Sequence, residues 1–248
     1  MASEKTRAIV LKLVEFSESS CVVTLFTEDF GKVGALAKGA RRPKSAFEGA
    51  LDLLALVRIV FLRKSSDALD LLTEAKLERR FRSAQRELAR LYAGYYVAEL
   101  LAELTDTGDP HPELFVAADQ TLFALDQGAA VPETVLQFEL AALRLLGHMP
   151  SLAECVVCGR PVVGEGRVPF GMTVGGVLCE NCRPGKRGVV SVSSGVIAAL
   201  RQAATDAEAG RELEGSTRGE LRAVMSNYFA HLVGRRLRMS EYLGVQAG

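Results

Sequence analysis

The chain has no uncharged apolar run long enough to cross a membrane. The longest candidate, Leu53 to Leu62, is short and carries Arg58, whereas a spanning helix needs about 20 mostly apolar residues. The N-terminus does not read as a secretory leader, because Lys12 and Glu15 interrupt its apolar part. Disorder bias, low-complexity tracts and solenoid repeats are also missing. So are catalytic signatures: there is no His-Glu-x-x-His and no Gly-x-Ser-x-Gly. Gly34-Ala35-Leu36-Ala37-Lys38-Gly39-Ala40-Arg41 has the glycine spacing of a phosphate-binding P-loop. It puts Ala40 where lysine is required, and Arg41 where Ser or Thr would hold magnesium. His111, His148 and His231 are scattered, and no acid, base and nucleophile come together. These absences argue against membrane, repeat and common hydrolase classes. They fit a soluble cytoplasmic protein whose 248 residues suffice for a real core.

Cysteine is sparse, with five in the chain, and in the cytoplasm these are thiols or metal ligands rather than disulfides. Net charge is zero but unevenly spread: +3 over residues 1–80, −6 over 81–150 and +3 over 151–248. The Gly31–Lys64 stretch alone has a net charge of +6. Within it, Lys38, Arg41, Arg42 and Lys44 fall in seven positions, with no acid between Lys32 and Phe47. Gly39 lets the backbone approach a ligand closely, and Pro43 breaks regular structure. Such a loop suits phosphate oxygens, since Arg presents a planar fork of donors and Lys a mobile point charge. A solvated turn is the alternative. A basic head joined to an acidic middle points to a polyanion site plus a separate surface for something else.

Residues 6–79 read as five strands: Thr6–Phe16, Cys21–Thr27, Lys32–Lys38, a strand over Leu51–Phe61, and a fifth from Leu69. The fourth places Leu51, Leu53, Ala55, Val57, Ile59 and Phe61 on one face at period two. The fifth sets Leu69, Leu71, Ala75 and Leu77 inward, and Asp70, Glu74, Lys76 and Glu78 outward. Five short strands with a long excursion after the third predict a small closed barrel, OB-type (oligonucleotide-binding) before SH3-like. From Phe81 the period becomes 3.6, with Ala84, Leu88, Leu91, Tyr95, Ala98 and Ala102 on one helical face ending near Thr105. Pro112 and Gly128 bracket a second helix, and Pro132 and Gly147 a third. Tyr92, Tyr95 and Tyr96 read as packing residues, with a stacking surface as the alternative. Helices resume after Val190. Ser193 or Ser194 caps one, Glu208–Gly215 is a loop, and Thr217 with Glu220 fits a capping box. In the last helix Leu221, Val224, Met225, Tyr228 and Leu232 form the buried stripe.

The sharpest local signal is Cys155-Val156-Val157-Cys158 with Cys179-Glu180-Asn181-Cys182, two Cys-x-x-Cys pairs separated by twenty residues. This is close to the spacing of a four-thiolate zinc site. Turns at Gly164–Gly166 and Gly175-Gly176 would let the chain between them fold as hairpins. With four protein ligands the zinc would be structural, one ion per chain, and leave no position for water. Cys21, in an apolar strand, reads as a buried thiol. The fold class is then α+β and multidomain. A five-stranded OB-type barrel (1–80) is followed by a helical domain (81–150 and 191–248) carrying a zinc-ribbon-like insertion (151–190).

This order of parts, with Lys38-Gly39-Ala40-Arg41-Arg42-Pro43-Lys44-Ser45 after the third strand, resembles the RecO family of bacterial DNA repair proteins. The resemblance spans nearly the whole chain. It implies an N-terminal OB domain that binds single- and double-stranded DNA, annealing of complementary strands, and no nucleotide hydrolysis. It also implies action with RecR in recombinase loading, docking of the acidic tail of single-stranded-DNA-binding protein, and residence at the nucleoid. Lys38, Arg41, Arg42 and Lys44 are the expected main DNA contacts. Lys32, Arg58, Arg63 and Lys64 would help if the barrel brings them to the same face. Arg235, Arg236 and Arg238 form a second basic cluster, which a helix dipole would also explain. Of the phenylalanines in residues 1–80, Phe16, Phe26, Phe30, Phe47 and Phe61, Phe26 and Phe61 read as core, so backbone electrostatics is expected to outweigh base stacking. A zinc-ribbon adaptor binding only proteins, and a nucleic-acid-modifying enzyme with a dispersed site, are the rival classes.

Overall fold

A computed structural model describes residues 2–47, 49–64, 68–83, 87–162, 166–205 and 215–243. It divides into two units, Met1–Val131 and Pro132–Gln246. In the first, five strands close on themselves: β1 (Ser3–Glu15), β2 (Cys21–Thr27), β3 (Gly31–Ala37), β4 (Leu56–Leu62) and β5 (Asp70–Arg79). The order is β1–β2–β3–β5–β4, with β4 returning to β1. All pairs are antiparallel except the short β3–β5 pair. β1 serves two neighbours because it bends. Ser3–Ile9 pairs with β4, Ala8–Glu15 with β2, and a bulge at Leu11 shifts the register between Val10 and Lys12. Alternation fills the interior with Val10, Val23, Leu25, Val33, Val57, Ile59, Phe61 and Leu72. Each such side chain contributes about 1.5–3 kcal/mol by burial.

Two strands differ from the period-two reading. Leu51–Ala55 is not part of β4: Leu54 takes a positive φ of 64°, and Asp52 turns the chain by accepting the N–H groups of Leu53 and Ala55. Along β5, a register shift opposite Val60/Phe61 leaves Thr73 unpaired, its hydroxyl donating to the Val60 carbonyl. Leu72 is therefore buried, while Leu71 is half-buried and Leu69 exposed.

Two helices complete this unit, α1 (Leu88–Leu104) and α2 (Pro112–Asp126). α2 has the expected proline start, and Gly128 follows its end with φ 98°. α1 begins later than Phe81 and buries a different stripe from the expected one. Of the expected positions Ala98 is buried, Leu91, Tyr95 and Ala102 are half-buried, Leu88 is 63% exposed and Ala84 lies outside the described residues, while Ala93, Tyr96, Val97, Leu100 and Leu101 form the fully covered face. Gly94 sets this face: a Cβ there would lie 2.6 Å from Leu54 Cδ1 and 3.1 Å from a Phe81 ring atom. A similar restriction acts at Gly31 (φ 66°), where a Cβ would meet the Asp109 carbonyl. Tyr96 is fully buried, in accord with packing.

The second unit holds α3 (Val131–Leu145), a sheet of order β7–β6–β8 from β6 (Arg167–Gly171), β7 (Gly176–Val177) and β8 (Val189–Ser193), then α4 (Ser194–Thr205), α5 (Gly215–Val233) and a 3₁₀ turn at Arg238–Tyr242. Gly147 ends α3 with φ 73°. Ser193 caps α4, its hydroxyl accepting the Val196 N–H at 3.4 Å. The Thr217/Glu220 capping box does not form, because α5 already starts at Gly215. Glu220 instead accepts the Ser193 N–H at 3.2 Å and pairs with Arg167 at 2.9 Å. The α5 stripe is Leu221, Val224, Met225, Tyr228 and Phe229, with Leu232 half-buried. Arg222 donates to both carboxylate oxygens of the fully buried Glu139, joining α5 to α3. Most of the loop expected at Glu208–Gly215 lies outside the described residues, as do Gly164 and Glu165 of the expected hairpin turn. Among the described residues, no helix is long and apolar enough to cross a membrane.

Candidate nucleic-acid interface and metal centre

The basic stretch leaves the end of β3 as a chain of turns without regular structure. Lys38, Arg41, Arg42 and Lys44 are all exposed. The loop is pinned to the β1–β2 hairpin: the Gly39 N–H donates to Ser20 Oγ at 3.2 Å, and the Arg41 N–H to the Ser19 carbonyl at 3.0 Å. Further on, Ser45 Oγ donates to the Ala40 carbonyl at 3.0 Å, and Phe47 is buried in the barrel core. Arg41 pairs with Glu15 at 3.0 Å. Among the described residues Lys38, Arg42 and Lys44 have no ion-pair partner. The P-loop-like spacing has no matching backbone, since Gly34–Ala37 lies in β3 and turns follow where a helix would be needed.

The other basic residues do not join this loop. Lys32 Nζ donates to the carbonyls of Ala102 (2.5 Å) and Thr105 (2.6 Å). It thereby satisfies the C-terminal end of α1, which has no basic residue of its own in its last turn. Arg58 points outward from the middle of β4 and pairs with Glu78 at 2.6 Å. Arg63 lies 5.7 Å from the Phe30 ring centroid, at the turn that enters β3. That is the opposite end of a strand about 20 Å long from the basic loop. Lys64 is exposed nearby, its N–H donating to Asp70. Arg236 pairs with Glu241 at 3.7 Å.

Sequence reading did not single out Arg79, Arg80 and Arg82. They line a cleft of about 500 Å³ with Glu78, Asp126 and Gln127, where the end of β5 meets the helices. Arg79 pairs with Asp119, and Arg80 donates to the Gly49 carbonyl at 2.9 Å. The run Arg79-Arg80-Phe81-Arg82 straddles a strand end, so neither periodicity marks it.

The four paired cysteines converge, with all four sulfurs within 4.8 Å of one another. Cys158 and Cys179 sulfurs are 3.7 Å apart, against an edge of about 3.8 Å for a tetrahedron with 2.3 Å zinc–sulfur bonds. Each pair sits in a tight knuckle. Gly159 N–H donates to the Cys155 carbonyl at 2.8 Å, and Cys182 N–H to that of Cys179 at 3.0 Å. Burial opposes ionisation of Cys155, but N–H groups from Cys179, Val157 and Cys158 outweigh it and bring the thiol down to about 6. Contacts with the Cys179 and Cys158 sulfurs push Cys182 up to about 12. Four sulfurs this close cannot all be thiolates unless a cation shares the charge, so the donor set fits a thiophilic dication. Cys21 is buried, and burial raises its thiol.

Two family models cover the chain between them. "Recombination protein O N terminal" matches residues 1–81 and "Recombination protein O C terminal" matches residues 85–241. A protein of Rhodopirellula baltica described as DNA repair protein RecO is 50% identical over 202 residues, 81% of this chain and 75% of that protein. Proteins of the same description from Anaeromyxobacter dehalogenans and Symbiobacterium thermophilum are 37% and 31% identical, each aligned over 98% of this chain and 96% and 97% of their own lengths.

Proposed function

The chain belongs to the RecO family of recombination and DNA repair proteins, and from that premise we propose that it binds DNA and anneals complementary strands without being an enzyme. The observation that carries this reading is the exposed loop of Lys38, Arg41, Arg42 and Lys44, clamped to the barrel by the β1–β2 hairpin. Held at its base by the Gly39 and Arg41 N–H groups, the loop presents Lys38, Arg42 and Lys44 to a phosphate backbone without reorganising, and Arg41 joins them by releasing Glu15. Neutralising two backbones lowers the repulsion that keeps complementary strands apart, and pairing then supplies its own driving force. No bond is made or broken by the protein in this scheme. Lys64 and Arg63 are secondary contacts for a longer duplex, and Arg58 joins them only by releasing Glu78. Lys32 is left out of the contact set, because its ammonium closes α1.

Cys155, Cys158, Cys179 and Cys182 hold one zinc ion in this reading. The metal fixes the two knuckles as a closed structural site with no position left for water. Action with RecR in recombinase loading, and docking of the acidic tail of single-stranded-DNA-binding protein, are proposed on the strength of the family resemblance. The module division of residues 1–80, 81–150, 151–190 and 191–248 is proposed with them. The test is a salt titration of binding to single-stranded DNA, with an annealing assay on the same preparation. Affinity that falls steeply with salt, and pairing faster than the spontaneous rate, are expected. Absence of DNA binding at low salt would leave the zinc-ribbon adaptor as the better reading.

A further inference from the structure

All five phenylalanines of the barrel segment are described, and four of them are covered. Phe26 and Phe61 are fully buried, Phe47 is 5% exposed, and Phe30 packs edge-on against Phe61 with Arg63 over its face. Phe16 is the exception at 64% exposed. Residues 1–80 contain no tyrosine or tryptophan, so Phe16 is the one aromatic surface the barrel segment offers.

Its main chain is held in place. The Phe16 N–H donates to the Ser20 carbonyl at 3.0 Å across the β1–β2 turn. The same turn holds the basic loop through Ser19 and Ser20. The neighbouring Glu15 carboxylate carries the Arg41 guanidinium. Phe16 and Arg41 line one open cleft of about 460 Å³ together with Glu15, Ser17 and Glu18. A second cleft of about 380 Å³ shares Arg41 and Glu15 with the first and has Leu13, Val14, Phe47 and Leu51 in its lining.

We infer that Phe16 stacks an unpaired base of single-stranded DNA whose backbone runs over Lys38, Arg41, Arg42 and Lys44. This deepens the proposed DNA binding and rests on it. The charge pattern selects the occupant. Cations on the loop side attract phosphate, whereas Glu18 beside the ring, joined by Glu15 once Arg41 turns to the phosphate, repels it and leaves the neutral face of a base as the matching surface. A duplex offers its backbone to the loop, but its bases are already stacked on one another and cannot reach the ring. Phe16 thus adds affinity for single strands alone, and that increment disappears once a complementary strand pairs with the base. The product of annealing is held more weakly than its substrate.

Two variants test this. Phe16→Ala is expected to lower affinity for a single-stranded oligonucleotide roughly five- to 150-fold, the range of one lost base–aromatic stack. Duplex affinity and melting temperature should stay near wild type, since the ring is not part of the core. Phe16→Trp places a single indole in a chain that has no other tryptophan, and stacking of a base should quench its emission on saturation with single strands and not with duplex. If both DNA forms bind wild type, but Phe16→Ala changes single-strand affinity less than twofold or the indole is not quenched, the stacking role is wrong and DNA binding stands. If neither form binds wild type, both proposals fail.

Discussion

Reversing two charges of the basic loop, with Arg41→Glu and Arg42→Glu in one chain, gives a measurement whose size follows from the geometry. Each cation that meets a phosphate of single-stranded DNA adds about −0.7 to the slope of log affinity against log salt. Four exposed cations would contribute about −2.8, or roughly a 50-fold loss of affinity over a fourfold rise in salt. Removing two leaves about −1.4, roughly sevenfold over the same range, before repulsion from the new carboxylates is counted. The fold should tolerate the change. Arg41 anchors the loop through its backbone N–H, which any residue supplies. Its pair with Glu15 has side-chain exposures of 46% and 77%, and exposed pairs contribute about 0–1 kcal/mol. A melting-temperature shift within about 4 °C is the corresponding limit. Anisotropy of a labelled oligonucleotide at several salt concentrations, with a thermal melt of each protein, reads both quantities. Unchanged affinity and slope in the doubly reversed protein would mean that the loop is a solvated turn.

Three further outcomes can be checked independently. Purified protein should carry one zinc per chain. Cys158→Ser should lose it and lower the melting temperature, although Cys158 is exposed, because metal binding and local folding are coupled; Cys21→Ser should keep the zinc. Lys32→Met removes two charge-assisted bonds to the end of α1 and should destabilise the protein by about 1.5–3 kcal/mol in urea unfolding, an effect a surface lysine would not give. The bidentate hydrogen bonds from Arg7 hold the Glu28 carboxyl below the usual carboxylate range. Its stabilisation is therefore complete above the unfolded value of about 4.3 and is lost as pH falls through the lower folded value. The stability gap between wild type and Glu28→Gln should then shrink on acidification, and a gap constant from pH 6 to pH 3 would refute the pairing.

Local chemistry was legible wherever the local signal had no competitor. β2 spans Cys21–Thr27 as read from its β-branched run, the Pro112 and Pro132 helix starts stand within a residue of expectation, and the cysteine quartet closes as its spacing implies. Failures arose where a small backbone event changed the phase of a pattern. The left-handed Leu54 ends the run that began at Leu51, and the extra residue Thr73 moves the inward position from Leu71 to Leu72. Period-two counting assumes a continuous pleat and cannot register either event. α1 failed for a different reason: its sequence is apolar nearly all round, so two stripes compete. Gly94, which carries no hydrophobic signal, decides between them by admitting Leu54 and Phe81. β8 escaped notice because its five residues run directly into α4 at Ser194.

For the candidate interface, the sequence revealed charge but not its commitments. Eight cations against two acids over Gly31–Lys64 read as one strongly basic surface, yet the fold assigns several of them other tasks. Lys32 closes a helix seventy residues away in sequence, Arg58 is bound by Glu78 from the adjacent strand, and Arg63 lies over Phe30 at the far end of β3. Each partner comes from a long-range contact, so no window of sequence contains it. The four loop cations are different. Residues 38–46 lie outside the strands, and the side chains of Lys38, Arg41, Arg42 and Lys44 stay exposed. The β1–β2 hairpin holds the start of the loop through the Gly39 and Arg41 N–H groups, and the buried Phe47 anchors its end. A cation becomes available to a polyanion when the fold holds its main chain and leaves its side chain alone, and among the described residues of this loop those two conditions coincide at Lys38, Arg42 and Lys44, with Arg41 lightly tied to the exposed Glu15.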